Sequence, residues 1–422
     1  MASEAPYSKL AETLIGSEIV KLGADIKEQI RQGKQIYNFT IGDFDSSVFP
    51  IPSGLQKEII QAYQQGFTTY PPADGIADLR TAVAQFLSKH ESLEYRQDEL
   101  LIAAGGRPLI YAAYRAIVDA GDKVIYPVPS WNNNHYVHFT EGEHVLLESK
   151  AENNFMPTAA ELAPHLEGAR LLALCSPLNP TGTTFSRDEL EAICDLVLAE
   201  NKRRGASEKK LYVLYDQIYW TLTFGDTVHY NPVSLRPEMK AYTLFIDGIS
   251  KAFAATGVRV GWAMGPSALI AKMKAINSHV GAWAPMAEQQ AVSRFIVNDT
   301  ELASYFTHFK AEVHERLEKI YKGIMQLSEE GFAVRAIAPQ AAIYLTLQFN
   351  LCGKTTASGK QLEKQTDVTA YLLEQARLAI VPFSAFGAPT NSTWYRLSVG
   401  TCKKEEIPAM LGTLKEALQQ LK

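Results

Sequence analysis

Lys251 and Arg259 are the residues whose types and spacing most directly suggest chemistry. Lys251 follows an apolar and β-branched run, Tyr242 to Ile246, which reads as a buried strand ending in a small-residue turn. Arg259 stands in Gly257-Val258-Arg259-Val260-Gly261, where the glycines let the backbone approach something bulky or anionic. A desolvated lysine amine has a lowered pKa and can form an imine with an aldehyde, while an arginine suits a phosphate. Pyridoxal phosphate is the common cofactor that carries both groups. A lone lysine after a strand is ordinarily solvated, so this reading depends on what surrounds it.

Other residues offer partners for the same ligand. Gly105-Gly106-Arg107 opens a helix, whose backbone N–H groups and dipole can hold a phosphate; the ordinary alternative is a plain glycine turn. Trp131 could lie on an aromatic ring or simply pack in the core. Asp216 ends the apolar run LYVLYD, where a carboxylate needs a cation or hydrogen bonds, and a protonated pyridine nitrogen would serve. Tyr219 and Asn179, the latter in the turn-forming SPLNPTGT, could hydrogen-bond a ring oxygen; a surface turn and a capping aspartate are the alternatives for Asn179 and Asp216.

The elements that must position these side chains alternate. Leu100 to Ala104, Val124 to Val128, Leu171 to Cys175, Leu211 to Tyr215 and Tyr242 to Ile246 read as strands separated by helix-like segments. Such alternation implies a mostly parallel sheet covered on both faces, with ligands outside the carboxyl ends of the strands. Before it, Ile15, Ile19, Leu22, Ile26 and Ile30 fall at helical spacing up to Gly33, and helices follow at Ser53 to Gln65 and through Leu79, Val83 and Leu87. After it come a long amphipathic helix through Phe306 to Ile324, strands at Ala341 to Phe349, Ala379 to Pro382 and Trp394 to Val399, and a final helix. The expected organisation is an α/β large domain with a mostly parallel mixed sheet flanked by helices over 49–300, a smaller α+β domain over 301–422, and an N-terminal arm joining the smaller unit over 1–48.

Four segments, SPLNPTGT, YDQIYW, SKAFAATGVRVGW and WYRLSVGT, resemble the class I/II aminotransferases of the aspartate aminotransferase superfamily, which are fold type I pyridoxal-phosphate enzymes. The resemblance runs in order from Gly42 to Arg396. It implies that Lys251 links covalently to pyridoxal 5'-phosphate and then shuttles the substrate α-proton. Asp216 would pair with the pyridine nitrogen, Asn179 and Tyr219 would reach the ring oxygen, and Trp131 would stack on the ring. Gly105, Gly106, Arg107, Ser250 and Arg259 would surround the phosphate. Arg396 would clamp the substrate α-carboxylate, with Asn179 and the Gly42 backbone beside it. Tyr70 would reach the phosphate of a neighbouring subunit, so a homodimer with shared active sites is implied.

Two departures stand out: Gly248 occupies a position where many relatives have a phosphate-binding serine, and Asn132-Asn133-Asn134-His135-Tyr136 is unusually polar. The implied reaction moves an amino group from an L-amino acid, aspartate, aromatic or similar, to a 2-oxo acid such as 2-oxoglutarate. A C–S β-lyase or an aminocyclopropane-carboxylate synthase would use the same motifs, and a non-catalytic regulatory protein could keep the fold.

Composition narrows the classes. A net charge of -5 argues against a nucleic-acid surface, and the Lys202-Arg203-Arg204 run reads as a solvated helix end. The four cysteines, scattered without paired or metal-ligand spacing, read as packing residues of a reducing compartment. With no signal-like start or long apolar stretch, a soluble cytoplasmic protein without a membrane partner is expected. His135, His138 and His144 with Glu141 and Glu143 lack zinc spacing, and Gly353 to Lys360 misses the spacing and final residue of a phosphate-binding loop.

Overall fold

The five apolar runs all form strands, and their alternation divides the interior. The computed structural model describes residues 7–422. In chain order the first strands are β1 (Tyr37–Asn38), β2 (Leu100–Ala103), β3 (Lys123–Val128), β4 (Glu143–Glu148), β5 (Ala169–Cys175), β6 (Tyr212–Asp216), β7 (Thr243–Gly248) and β8 (Gly261–Met264). All but β1 make one seven-stranded sheet in the order β2-β8-β7-β6-β5-β3-β4, with only β8 running against its neighbours. Leu100, Leu172, Leu174, Val213, Tyr215 and Phe245 point into one core, beside helices Ala77–Glu91 and Arg187–Arg204. Leu101, Leu171, Ala173, Leu214, Leu244 and Ile246 point into the other, beside helices Gly106–Ile117 and Ser267–Val280. Burial on both faces is why these runs are continuously apolar rather than alternating.

Two strands of this sheet escape the sequence reading. β4 is an edge strand, EHVLLE, with Leu146 53% exposed and acidic ends, so it lacks the apolar continuity of its neighbours. β8 is only four residues long and is hidden in the Arg259 motif.

The remaining strands, β9 (Val334–Ala336), β10 (Tyr344–Phe349), β11 (Leu378–Ala379), β12 (Val381–Pro382) and β13 (Trp394–Ser398), build the second unit. Its antiparallel sheet runs β12-β13-β10-β9, and its core includes residues of helices Asp299–Glu329, Gln365–Gln375 and Ile407–Gln419. β1 pairs in parallel with β11, which ties the N-terminal segment to this unit and carries Thr40 to Asp43 toward the large sheet.

The helix predicted to begin near Ile15 starts at Glu18, and Ile15 lies outside it, 73% exposed. The basic run is not wholly solvated. Arg204 is buried, because its guanidinium pairs with Glu200 and donates to the Leu166 and Lys209 carbonyls. Among the described residues no helix is long and apolar enough to cross a membrane.

Candidate active site

Residues at the carboxyl ends of β5, β6 and β7 meet the N-terminal segment and β13 around a cavity of about 780 Å³. Strand parity decides which carboxylate enters it. Asp216 follows Leu214 on one face of the sheet and lines the cavity, whereas Asp247 shares the opposite face with Phe245 and is buried against the Trp220 Nε1–H at 2.9 Å. Asp216 accepts a hydrogen bond from Ile218 N–H at 3.1 Å, and burial pushes its pKa up to about 6. A carboxylate so placed calls for a cationic partner.

Lys251 lies in the short helix Ile249–Ala252 immediately after β7, and its Nζ donates to the Gly42 carbonyl at 2.7 Å. Burial lowers its pKa to about 8; Asp43 opposes the shift, and Arg396, Arg107 and Arg259 add to it. A fraction of neutral amine is therefore present near neutral pH, as imine chemistry requires.

Arg259 has a left-handed backbone, φ 62°, and donates to the Thr256 and Ala104 carbonyls, both at 2.7 Å. Its guanidinium occupies the space a side chain at Gly105 would need, which explains the glycine at the cap of helix Gly106–Ile117. The glycines around Arg259 do something other than expected. Gly261 packs on the Gly105-Gly106 backbone, and Gly257 has open space beside it. Gly248 also has a packing reason, since a Cβ there would stand 2.7 Å from Gly261 Cα and 2.9 Å from the Val260 carbonyl oxygen. A serine does not fit this backbone without displacing β8.

Arg396 is buried between the Tyr344 and Phe386 rings, 4.7 and 4.9 Å from their centroids. It donates to Asn179 Oδ1 at 3.0 Å and to the Thr40 carbonyl at 2.7 Å, while its Nε has no partner among the described residues. Among the described residues no carboxylate lies within ion-pairing distance of it, so a buried cation faces the cavity uncompensated. Gly42 lies so close to Tyr344 Oη and Arg396 that a Cβ would meet them at 2.9 and 3.4 Å.

The cavity wall brings together Gly42, Gly106, Arg107, Trp131, Asn179, Asp216, Tyr219, Ser250, Lys251, Arg259 and Arg396, with Gly105 directly beneath Arg259. Arg107 stacks over Trp131 at 5.5 Å, and Tyr219 shares a 2.5 Å hydrogen bond with Tyr344. Tyr70 is absent from the wall; it is 86% exposed, edge-on to Trp283 at 5.4 Å. The polar Asn132–Tyr136 stretch is partly structural, because Asn133 accepts from Tyr114 and donates to Ser130, while Tyr136 lines the cavity. His138 and His144 go elsewhere, to Thr13 and Tyr126.

Sequence reasoning missed Asp43, Thr256, Tyr344 and Cys175 on this wall. Cys175 packs against the core as expected and also lines the cavity, opposite Asp216 in the β5–β6 register. Asp43 stood in the TIGDFD segment beside Gly42, and only the fold shows which way it faces.

Residues 34–414 match the family described as aminotransferase class I and II. The chain is 31% identical to the aspartate aminotransferase of Rhizobium meliloti (strain 1021), over 99% of this chain and 95% of that one. A solved aspartate aminotransferase from Rhizobium meliloti superposes with a TM-score of 0.89 at 29% identity, covering 99% of this chain and all of the other. The Thermus thermophilus aspartate aminotransferase with maleate gives 0.86 at 26%, covering 98% and 100%. With the half-buried lysine, the unpaired aspartate and the uncompensated arginine already in place around one cavity, these likenesses establish that the chain belongs to the class I and II aminotransferases, enzymes that use pyridoxal 5'-phosphate.

Proposed function

We propose that the protein works as a homodimer that moves the amino group of an L-amino acid, of the aspartate or aromatic type, to 2-oxoglutarate. The observation that carries this reading is Arg396, a buried guanidinium that has no acidic partner among the described residues and shares a cavity with Lys251. Two hydrogen-bond donors from a planar fork suit the α-carboxylate that amino acids and 2-oxo acids share. Aspartate as donor is supported by the names of the relatives, and an aromatic donor by the cavity's Ile19, Ile41, Trp131 and Tyr136.

The residues fit pyridoxal phosphate. Bound there, the cofactor supplies an aldehyde and an electron-withdrawing ring. Asp216 would hold the ring nitrogen, Asn179 and Tyr219 the ring oxygen, Trp131 the ring face, and Gly105, Gly106, Arg107, Ser250 and Arg259 the phosphate. Lys251 would hold the cofactor covalently and carry the substrate's α-proton. Tyr70, exposed on its own subunit, is available to a neighbour's phosphate, which supports the homodimer. We further assign cofactor binding to a large domain over residues 49–300, an N-terminal arm and part of the small domain to residues 1–48, of which 1–6 lie outside the described residues, the C-terminal small domain to residues 301–422, and the work to the cytoplasm, where four free cysteines are at home.

The test is a panel of the common amino acids with 2-oxoglutarate, monitoring glutamate formation. Glutamate formed from aspartate or an aromatic donor supports the proposal. Steady release of ammonia and a keto acid without any acceptor would replace it with the β-lyase alternative.

A further inference from the structure

Among the described residues only two acids line the cavity, Asp216 and Asp43, and the second has no evident work in holding the cofactor. Asp43 Oδ1 accepts from Thr256 Oγ1 at 2.7 Å and from Phe44 N–H at 2.8 Å. Among the described residues its other carboxylate oxygen has no hydrogen-bond partner. Five cations, Lys27, Lys251, Arg107, Arg259 and Arg396, also line the cavity, yet among the described residues none comes within 4.0 Å of this carboxylate. It adjoins Gly42, whose carbonyl holds the Lys251 amine at 2.7 Å. The Thr256 bond fixes it over the turn that carries both Lys251 and Arg259.

The α-groups of an amino acid carry two charges, and Arg396 answers only one. We infer that Asp43 is a positioning residue that receives the α-ammonium of the amino donor beside Lys251 while Arg396 holds the α-carboxylate. The pair of opposite charges across the cavity matches the zwitterion of an amino acid. A 2-oxo acid carries a carboxylate but no ammonium, so Asp43 gives it no attraction. This asymmetry favours amino donor over oxo product in the same pocket. Asp43 also opposes the burial-driven lowering of the Lys251 pKa, in keeping with an anion that faces the amine.

The inference rests on the transamination reading, and the experiment separates the two. Steady-state kinetics of the pyridoxal-phosphate-loaded enzyme give one KM for the amino donor and one for the oxo acid, in wild type, D43N and D43E. Equilibrium titration of the cofactor's absorbance with the amino acid alone gives a binding readout independent of turnover. In D43N, which can still accept from Thr256, the amino-donor KM and the titration midpoint should rise about tenfold, while the oxo-acid KM moves less than about twofold. D43E should recover most of the amino-donor affinity. If D43N fails to fold, Thr256→Val, which frees the carboxylate from its anchor, should raise the amino-donor KM alone by a smaller factor. Equal changes in both KM values, or no change in either, would overturn the inference and leave transamination intact. A wild-type enzyme that forms no product from any donor and acceptor would overturn both.

Discussion

Arg396 Nη1 donates to Asn179 Oδ1 over 3.0 Å, joining β13 of the smaller unit to the turn after β5 of the large sheet. The group assigned to the substrate carboxylate is thus oriented by a group assigned to the cofactor. Arg396→Lys keeps the charge but loses the planar fork and its bond geometry. KM should rise about 10²-fold for amino donor and oxo acceptor alike, with the bound cofactor's absorbance retained. Steady-state kinetics with both substrates check this.

Asp216 has opposite expected effects on stability and cofactor binding. With its pKa raised to about 6 in the cofactor-free protein, the folded chain between about pH 4 and 6 keeps a proton that the unfolded chain has lost. Its contribution to stability therefore falls as pH rises through that window and stays low above it. Cofactor-free Asp216→Asn should be more stable than wild type at pH 7.5, on the order of 1–3 kcal/mol, with the difference closing by about pH 4. The same variant should lose pyridoxal phosphate on dialysis and drop in turnover by about 10²–10³-fold. Denaturation at several pH values, with and without cofactor, measures both.

Lys251 gives a kinetic pH dependence. Burial lowers its pKa to about 8, so below that value the reactive neutral amine falls tenfold per pH unit. The rate at which cofactor-free protein captures pyridoxal phosphate should climb from pH 6 to 8 and flatten above. The sign for stability follows the same pKa. Between about 8 and 10.5 the unfolded chain holds the extra proton, so this group's contribution to stability rises with pH through that window. Stopped-flow absorbance across pH 6 to 10 reads the capture rate.

Gly105 has a positive φ of 85°, and its missing side chain leaves room for Arg259. Gly105→Ala should displace the guanidinium, weaken cofactor retention by an order of magnitude or more, and cost about 1–3 kcal/mol of stability. Fluorescence titration with pyridoxal phosphate and thermal denaturation test the two parts. A variant as tight and as stable as wild type would remove Arg259 from the phosphate site.

The sequence made the central strands legible because burial on two faces leaves Leu171–Cys175 and Tyr242–Ile246 continuously apolar. It also gave Lys251 and Asp216, whose types are improbable at the ends of such strands without a purpose. The edge strand Glu143–Glu148 was not legible, because one exposed face and acidic ends erase the signal. Nor was the role of Gly248, which depends on β8 lying 2.7 Å from its would-be Cβ. Asp43 and Thr256 are 213 positions apart, and no local pattern announces their hydrogen bond. Tyr70 marks the opposite limit. The resemblance assigns it a role on a neighbouring subunit, and one chain places it in the open.

The most direct measurement is borohydride reduction of the pyridoxal-phosphate-loaded protein followed by peptide mass mapping. A single reduced pyridoxyl group is expected on the peptide containing Lys251, and none in Lys251→Ala. Label on another lysine, or a protein that takes up no cofactor, would contradict it.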